Sequence, residues 1–223
     1  MRAALWVAAV LSWPAKADEG FVTLFAEDGV PKGWKVTAWN DLSKPGPKDA
    51  VWSVKGGVLQ PGKQRGSWLV SEKKYADFIL EFEVKLDKLG NSGVALRAPL
   101  EGDPAFEGME LQVADLRYNT KAKADELTGA IYRSLAPAKQ VYKPTEWNKV
   151  RIELNGPRLK VEINGELVQD HDLNKQARPA KRHDGTDAPP LKARPREGHV
   201  GFQHLSRDSS PVLIRNARLK VLR

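Results

Sequence analysis

The fold is decided by the stretch DFILEFEVKLD, residues 77–87. Apolar side chains occupy every second position of this stretch: Phe78, Leu80, Phe82, Val84 and Leu86. The positions between them carry mainly charged side chains. Because successive side chains of a strand point to opposite sides, this period of two predicts a β-strand with one buried face and one polar face.

The same period of two continues along most of the chain. It recurs in residues 150–154, 159–163, 200–204 and 212–222. The second of these stretches is followed by Asn164-Gly165, a pair that tolerates the positive φ angles of tight turns, so residues 159–168 are predicted to form a hairpin. No window of twelve residues has the apolar stripe and caps of a helix. The chain is therefore predicted to be all-β.

Strands with one apolar face each must bury that face against a second sheet. We therefore predict a two-sheet β-sandwich of the jelly-roll type, with a closed barrel as the alternative. The sequence has no repeat of fixed period, which argues against a propeller. The 223 residues include no cysteine, and this excludes a disulfide scaffold, a thiolate metal site and a cysteine nucleophile.

Residues 1–17 have the pattern of a secretory signal peptide. Arg2 supplies a positive charge, residues 3–12 are uncharged and mainly apolar, and Ala15-Lys16-Ala17 matches the cleavage pattern. The apolar run is shorter than the ~20 residues of a permanent membrane span, and no other segment is apolar enough to be one. We expect cleavage after Ala17, a single domain over residues 18–223, and export to the periplasm or the cell exterior. A buried N-terminal helix is the alternative.

The formal net charge of +8, from 36 basic and 28 acidic residues, raises the question of a nucleic-acid partner. Much of this charge lies in residues 174–198, a proline-rich loop with seven Lys and Arg against three acids. The loop contains no Phe, Trp or Tyr, whereas nucleic-acid sites combine basic groups with stacking aromatic rings. We therefore expect no nucleic-acid partner, and we interpret the loop as a rim near the site or a tether to acidic glycans or the cell envelope.

The first of three stretches with the residue types of a functional site is GNSGVALR, residues 90–97. Val94 and Leu96 are expected to face one side of a strand, so Arg97 faces the other, beside small residues. A guanidinium group in this setting can hold a carboxylate or sugar hydroxyls, which makes Arg97 a candidate substrate-binding residue together with Asn91. A surface ion pair is the alternative for Arg97.

The second stretch is MELQVAD, residues 109–115. Its apolar residues predict that Glu110 and Gln112 share the face opposite the core. Asp115 joins them if a β-bulge follows Val113. Two acids on one face are what proton transfer at a sugar requires, because one group takes a proton while the other donates one. A solvated strand face is the alternative.

The third stretch is TGAIYR, residues 128–133, which is predicted to be a strand that presents Tyr132 to a sugar ring or as a proton donor. His204 alternates with Gln203 in a late strand, and a lone histidine is more often structural than catalytic. His171 and His183 have no partner at metal-ligand spacing, and phosphate loops and the G-x-S-x-G elbow are absent. We therefore predict no cofactor and no metal ligands, although the scattered acidic residues leave open whether a divalent metal takes part.

Many short stretches occur here in the order that is typical of one family. They are FVTLF (21–25), GW (33–34), WSVKGGVL (52–59), GSWLV (66–70), YADF (75–78), NSG (91–93), LR (96–97), ELQV (110–113) with Asp115, TGAIY (128–132), KP (143–144), EWN (146–148), ING (163–165), GFQH (201–204) and IRN (214–216). In this order they resemble the 3-keto-disaccharide hydrolase domain family over nearly the whole chain. The resemblance implies a concanavalin A-like jelly roll, and members are often exported by bacteria.

The resemblance also implies an activity, the cleavage of glycosides that are already oxidised to a ketone at C3. On that basis we assign proton transfer to Glu110 or Asp115. Arg97 and Gln112 would hold the keto and hydroxyl oxygens, and the acid or the enolate stabiliser would be Tyr132 or His204. Asn91 and Trp68 complete the predicted substrate contacts, and the expected partner is a carbohydrate.

Two other functions stay open from the sequence. A non-catalytic, lectin-like carbohydrate-binding module would use exposed tryptophans, for which Trp39 and Trp68 are candidates. An endo-glucanase of the same sandwich fold is a weaker alternative, because its strand would carry three acids and the middle position here is Gln112.

Overall fold

Two antiparallel β-sheets pack face to face in this chain, whose computed structural model describes residues 19–222. The first sheet contains, in spatial order, β12 (Glu166–Asp172), β11 (Arg158–Ile163), β10 (Asn148–Asn155), β7 (Phe78–Leu86), β14 (Val212–Val221), β5 (Val58–Pro61) and β4 (Trp52–Lys55), with β1 (Val22–Thr23) paired to β14. The second sheet contains β3 (Asp41–Pro45), β2 (Trp34–Ala38), β6 (Ser67–Tyr75), β13 (Gly198–His204), β8 (Asn91–Ala98) and β9 (Met109–Ala114). The predicted all-β sandwich of the jelly-roll type is confirmed. The predicted signal peptide, residues 1–17, lies outside the described residues.

The helices are short and lie in the connections. They are α1 (Pro104–Glu107) and the 3₁₀ turns Ala124–Glu126, Leu173–Lys175 and Leu191–Ala193. Within residues 19–222, no helix has the length and apolar content to cross a membrane.

Strand β7 shows how the period of two builds the core. All five of its predicted core side chains are buried between the sheets. Glu81 and Glu83 face the other way and lie in ion pairs, Glu81 with Arg151 and Arg218, and Glu83 with Arg215. The predicted hairpin is also present, because β11 and β12 are joined at Asn164 and Gly165, which have φ angles of 54° and 83°.

The second sheet has two occupied faces. Its inner face packs on the first sheet through side chains such as Val94, Leu111 and Phe202. Its outer face is partly covered by α1 and by residues 174–198, which we call the basic loop. The stretch TGAIYR lies beside β9, where the backbone amides of Gly129 and Tyr132 donate to the carbonyls of Gln112 and Glu110. It is an irregular segment in which Ile131 forms isolated bridges with Leu111 and Leu135, rather than the predicted strand.

Arg97 joins the two sheets instead of standing above one of them. Its backbone has a positive φ of 49°, which interrupts the alternation of β8. The fully buried guanidinium donates to the Ala76 carbonyl at 2.6 Å, to the Gly156 carbonyl at 2.9 Å and to Asp77 Oδ1 at 2.8 Å. Asp77 also accepts from the Gly156 amide at 2.9 Å. The arginine therefore ties the β6–β7 turn to the β10–β11 turn.

We expect Arg97→Met to lower the free energy of unfolding by about 3 kcal/mol, because Asp77 and two carbonyls lose a buried charged donor while the alkyl volume is kept. Urea denaturation followed by tryptophan fluorescence measures the change. Arg178→Met, at an exposed arginine, is the matched control and should stay within about 0.5 kcal/mol of the unmodified chain. Equal stabilities for the two variants would show that this connection contributes nothing to the fold.

Candidate functional site

A cleft of about 500 Å³ lies on the outer face of the second sheet. Side chains of β8, β9 and β13 form its floor, including Asn91, Gln112 and Gln203. Five predicted site residues line this cleft: Asn91, Glu110, Gln112, Asp115 and Tyr132. The prediction that Glu110 and Gln112 share the face opposite the core agrees with this geometry, since Met109, Leu111 and Val113 pack between the sheets.

The Glu110 carboxyl group occupies space that only a glycine leaves free. A Cβ atom at Gly93, on the neighbouring strand β8, would lie 1.8 Å from Glu110 Oε1. The side chain of Glu110 is buried, and burial is the main cause that raises its pKa well above the usual range. The charge on Asp103 raises this pKa further. Glu110 therefore holds a proton under conditions where an ordinary glutamate has lost it.

Asp103 is the second carboxyl group at this end of the cleft. It caps the N-terminus of α1, where Oδ1 accepts a hydrogen bond from the Ala105 amide at 3.0 Å, and Pro104 follows at the first helical position. Burial raises the pKa of Asp103 to about 6, although the Ala105 amide opposes this shift. Glu110 is buried more completely than Asp103, and the Ala105 amide stabilises the charged form of Asp103, so we expect Asp103 to lose its proton at lower pH than Glu110.

Asp115 reaches the cleft without the predicted bulge. The register of β8 and β9 runs unshifted to the pair Asn91 and Ala114, and Asp115 follows where the strand ends and the chain turns. Its oxygens accept two hydrogen bonds from the Arg117 side chain, at 2.6 and 2.8 Å, and one from the Tyr142 hydroxyl at 3.3 Å. Burial alone would raise the pKa of Asp115, but the Arg117 hydrogen bonds outweigh it and lower the pKa. This carboxylate is therefore a fixed anion and a poor proton carrier.

The other three predicted residues in the cleft offer hydrogen bonds. Asn91 Oδ1 is buried and has no hydrogen-bond partner among residues 19–222. Gln112 Oε1 accepts from the Val113 amide at 3.0 Å, and this orients the side chain with its NH₂ group as the remaining donor. Burial raises the pKa of Tyr132 to about 12, against the effect of the nearby Arg133, so its hydroxyl stays protonated and can donate.

Three predicted site residues lie elsewhere, and their expected roles are not supported by the structure. Arg97 is the connection between the sheets described above. Trp68 is fully buried beneath the cleft, where its indole N–H donates to the Trp39 carbonyl at 2.8 Å. His204 faces the core, edge-on to Trp52 at 6.5 Å, and burial lowers its pKa to about 4. Because neighbouring strand residues alternate, it is Gln203 that reaches the cleft.

The cleft also contains charged and aromatic residues that the sequence motifs did not single out for it. Asp103 could have been found, because Asp-Pro is a helix-start signal. Arg65, which donates to the Leu205 carbonyl at 2.9 Å and the Tyr118 hydroxyl at 3.3 Å, and His183 come from loops without such a signal. His183 comes from the basic loop, which the sequence placed only as a rim or tether.

Among residues 19–222, no three His, Asp or Glu side chains lie close enough together to hold a metal ion. Whether the site uses a metal is a separate question, and the expectation of no cofactor stays a prediction.

A family model described as a 3-keto-alpha-glucoside-1,2-lyase-like domain matches residues 20–220. No curated protein matches the chain significantly.

Solved structures give the same picture. A candidate glycosyl hydrolase from Parabacteroides distasonis ATCC 8503 is 30% identical, with a TM-score of 0.67, and the match covers 84% of this chain and 100% of that protein. A second candidate glycosyl hydrolase from the same organism is 23% identical, with a TM-score of 0.68 and coverage of 92% and 95%. The carbohydrate-binding module CBM66 from Bacillus subtilis is 17% identical, with a TM-score of 0.50 and coverage of 88% and 99%. At this identity the similarity indicates only that the two chains share a fold. The family match and the first neighbour indicate a carbohydrate-active protein.

We expect Glu110→Gln to change how stability depends on pH. The pKa of Glu110 is raised in the folded chain, so its stabilising contribution is present below the unfolded pKa of about 4.5 and is lost as pH rises toward the folded pKa. Gln keeps the shape and has no charge to bury. The free energy of unfolding of the variant, relative to the unmodified chain, should therefore increase between pH 4.5 and 8.5.

Urea denaturation across this pH range measures the difference, and titrations elsewhere in the chain cancel in it. Glu101→Gln, at an exposed acid two residues before Asp103, is the control and should follow the unmodified chain. Parallel pH curves for Glu110→Gln and the unmodified chain would mean that Glu110 ionises normally.

Proposed function

The chain belongs to the 3-keto-alpha-glucoside-1,2-lyase-like domain family, and from this membership we propose that it cleaves glycosides whose C3 hydroxyl group has been oxidised to a ketone. The observation that carries the proposal is the presence in one cleft of two carboxyl groups, Asp103 with its pKa raised to about 6 and Glu110 with its pKa raised well above the usual range. Pairs of acids whose surroundings separate their pKa values are the arrangement that supplies an acid and a base together.

The reaction requires such a pair. A ketone at C3 acidifies the proton on C2, because the resulting anion is an enolate. A base removes this proton, the bond from C1 to the leaving oxygen breaks, and an acid protonates that oxygen. A double bond between C1 and C2 remains, conjugated to the ketone, and addition of water across it completes net hydrolysis.

We assign the acid and the base from the order of titration. Near neutral pH Asp103, with a pKa of about 6, is mainly ionised and is the base that accepts the C2 proton. Glu110, whose pKa is raised well above the usual range, is assigned as the acid that donates to the departing oxygen. The C2 proton then resides on Asp103 and the proton lost by Glu110 resides on the alcohol product, so proton exchange with water resets the pair.

Hydrogen-bond donors toward the Asn91 end of the floor suit the enolate oxygen. The NH₂ group of Gln112 and the guanidinium of Arg65 line the cleft there, and preorganised donors stabilise charge that develops in the transition state. The unpartnered Oδ1 of Asn91 is an acceptor for a sugar hydroxyl. On the Glu110 side, the protonated Tyr132 hydroxyl is a further donor.

Export of the protein remains a prediction, which rests on the sequence of residues 1–17.

A second function, carbohydrate binding without catalysis, is favoured by one observation. The half-buried ring of Trp39 lines the same cleft, and such rings bind sugars in non-catalytic modules. The endo-glucanase alternative loses support, since Asp115 is held by Arg117 and Gln112 separates it from Glu110.

These functions are distinguished by incubating the unmodified chain with 3-keto-glucosides and with intact glucans. Aglycone release from the keto compound alone supports the proposal, release from glucans alone supports the glucanase, and binding without product supports the module.

We expect Glu110→Gln to lower kcat/KM for methyl 3-keto-glucoside by about 100-fold or more, because methanol leaves only when its oxygen is protonated. With a p-nitrophenyl aglycone, which departs as a stable anion, the loss should be less than about 10-fold. Rates of aglycone release for the two substrates measure this difference, with Glu101→Gln as the control. An equal loss on both substrates would remove Glu110 from the role of acid.

We expect Asp103→Asn to lower kcat/KM by about 100-fold or more for both aglycones, because removal of the C2 proton is needed whichever group leaves. Asn caps helices as well as Asp does, so α1 should persist and the folded content by circular dichroism should not change. In the unmodified chain, kcat/KM should fall below pH 6 as Asp103 becomes protonated. A variant that keeps its activity would exclude Asp103 as the base.

A further inference from the structure

The basic loop contains an ordered hairpin at the cleft, residues 180–188, which we call the basic hairpin. The Ala188 amide donates to the Ala180 carbonyl at 2.8 Å, and the Arg182 amide donates to the Thr186 carbonyl at 2.8 Å. Gly185, with a φ of 86°, lies in the turn that connects Arg182 to Thr186. The tip of this hairpin carries His183, and the ring of His183 lines the cleft.

Polar and apolar contacts hold the basic hairpin on α1. Ala180 and Ala188 are buried against Ala105 and Phe106 of that helix. Arg182 forms an ion pair with Glu107 at the end of the helix. A connection this specific gives the His183 ring a defined position relative to the carboxyl groups, because Asp103 caps the same helix.

Further along the basic loop, Arg194 strengthens the same attachment. Its buried guanidinium donates to the carbonyls of Ala105 and Gly108, both at 2.9 Å, and to the Pro189 carbonyl at 2.8 Å. The two carbonyls belong to α1 and its C-terminal end, whereas Pro189 follows directly after the basic hairpin. The Arg194 side chain therefore joins the end of the hairpin to the helix through hydrogen bonds to backbone carbonyls.

His183 is the centre of a group of rings. Its ring centroid lies 5.3 Å from that of Phe106, 5.9 Å from Tyr132 and 6.1 Å from Trp39. Phe106 is buried beneath the group, whereas Tyr132 and Trp39 are half-buried and His183 is exposed. Tyr132, His183 and Trp39 line the cleft in one row, with the His183 ring inclined at 40° to the Tyr132 ring and at 70° to the Trp39 ring, and we call this row the aromatic wall.

The aromatic wall begins beside the proposed acid. The Tyr132 amide donates to the Glu110 carbonyl at 2.9 Å, so the two residues are neighbours along the edge of the sheet. Gln112, which is assigned to the enolate oxygen, is displaced from Glu110 along β9 toward Asn91, the acceptor proposed for a sugar hydroxyl. A substrate whose C3 oxygen lies at Gln112 and whose C1 oxygen lies at Glu110 extends its leaving group away from Gln112, toward the aromatic wall.

We propose that the aromatic wall, with His183 at its centre, is the binding site for the leaving group and selects a pyranose ring over a small alcohol. This proposal rests on the proposed function for the direction of the substrate. The hydrogens on one face of a pyranose ring form an apolar surface that packs on the negative face of an aromatic ring. Sugar hydroxyls at the edge of the ring require groups that both donate and accept, and the exposed neutral imidazole of His183 has one of each.

The electrostatic setting of His183 agrees with an uncharged ligand. Although the residue as a whole is exposed, partial desolvation of the ring in the cleft lowers the pKa of His183, and the neighbouring Arg133 lowers it further, so the imidazole is neutral at neutral pH. Arg133 itself is paired with Glu126, and its guanidinium covers the Tyr132 ring at 5.4 Å from the centroid. A neutral sugar hydroxyl therefore suits this end of the cleft better than an anionic group does.

The test compares two substrates that differ in the leaving group and share its chemistry. Methyl 3-keto-glucoside and a 3-keto-disaccharide both release an alkyl alcohol, and only the disaccharide places a ring at the wall. We expect His183→Ala to lower the ratio of kcat/KM, disaccharide over methyl glucoside, by about 10-fold. His183→Phe, which restores a flat ring, should recover most of the ratio, and His171→Ala, in β12 of the first sheet, should leave it unchanged.

The outcome also separates this proposal from the proposed function. If His183→Ala lowers kcat/KM equally for both substrates, or for neither of them, the aromatic wall is not a leaving-group site. If the unmodified chain turns over neither substrate, the proposed function has failed, and calorimetric binding of the unoxidised disaccharide and methyl glucoside replaces kinetics. Tighter binding of the disaccharide that is lost in His183→Ala but kept in His171→Ala then supports the wall. Equal binding of the two glycosides to the unmodified chain overturns it.

Discussion

The alternation of side chains along β9 is the constraint on which the site depends. Met109, Leu111 and Val113 must face the first sheet, because they fill the core between the sheets. Glu110 and Gln112 are then forced to the outer face, whatever their cost there. A shift of the strand by one residue would bury both polar groups in the core, so the stability of the sandwich and the composition of the cleft floor depend on the same register.

The outer face accommodates a buried acid because a neighbour gives up its side chain. Gly93 leaves the volume that the Glu110 carboxyl group fills, and α1 and the basic hairpin cover this end of the sheet. The cover removes water, which disfavours the charged form of Glu110, and it also brings Asp103 near. Two carboxyl groups with raised pKa values therefore result from packing, and two basic residues of the loop, Arg182 and Arg194, attach the cover to α1.

Sequence patterns predicted positions well where a strand is regular and less well where the backbone departs from regularity. Glu110 and Gln112 follow from the period of two, and so does the placement of their neighbours in the core. Arg97 does not, because its positive φ takes the residue out of the alternation of β8. His204 follows Val200 and Phe202 in the same period of two, so the pattern itself places His204 on the core side, where it packs against Trp52, and leaves Gln203 for the cleft.

The sequence alone therefore determined the all-β class, the sandwich, the principal hairpin and the carboxylate at the centre of the site. These follow from local properties, namely side-chain period and turn residues, together with a family resemblance carried by short motifs. The tertiary structure alone decided that Asp103 and His183 line the same cleft as Glu110. Residues 103, 110 and 183 lie in three separate segments, and no local pattern records which loops fold over which strand. Their proximity arises only when the helix and the hairpin bury their apolar side chains against each other.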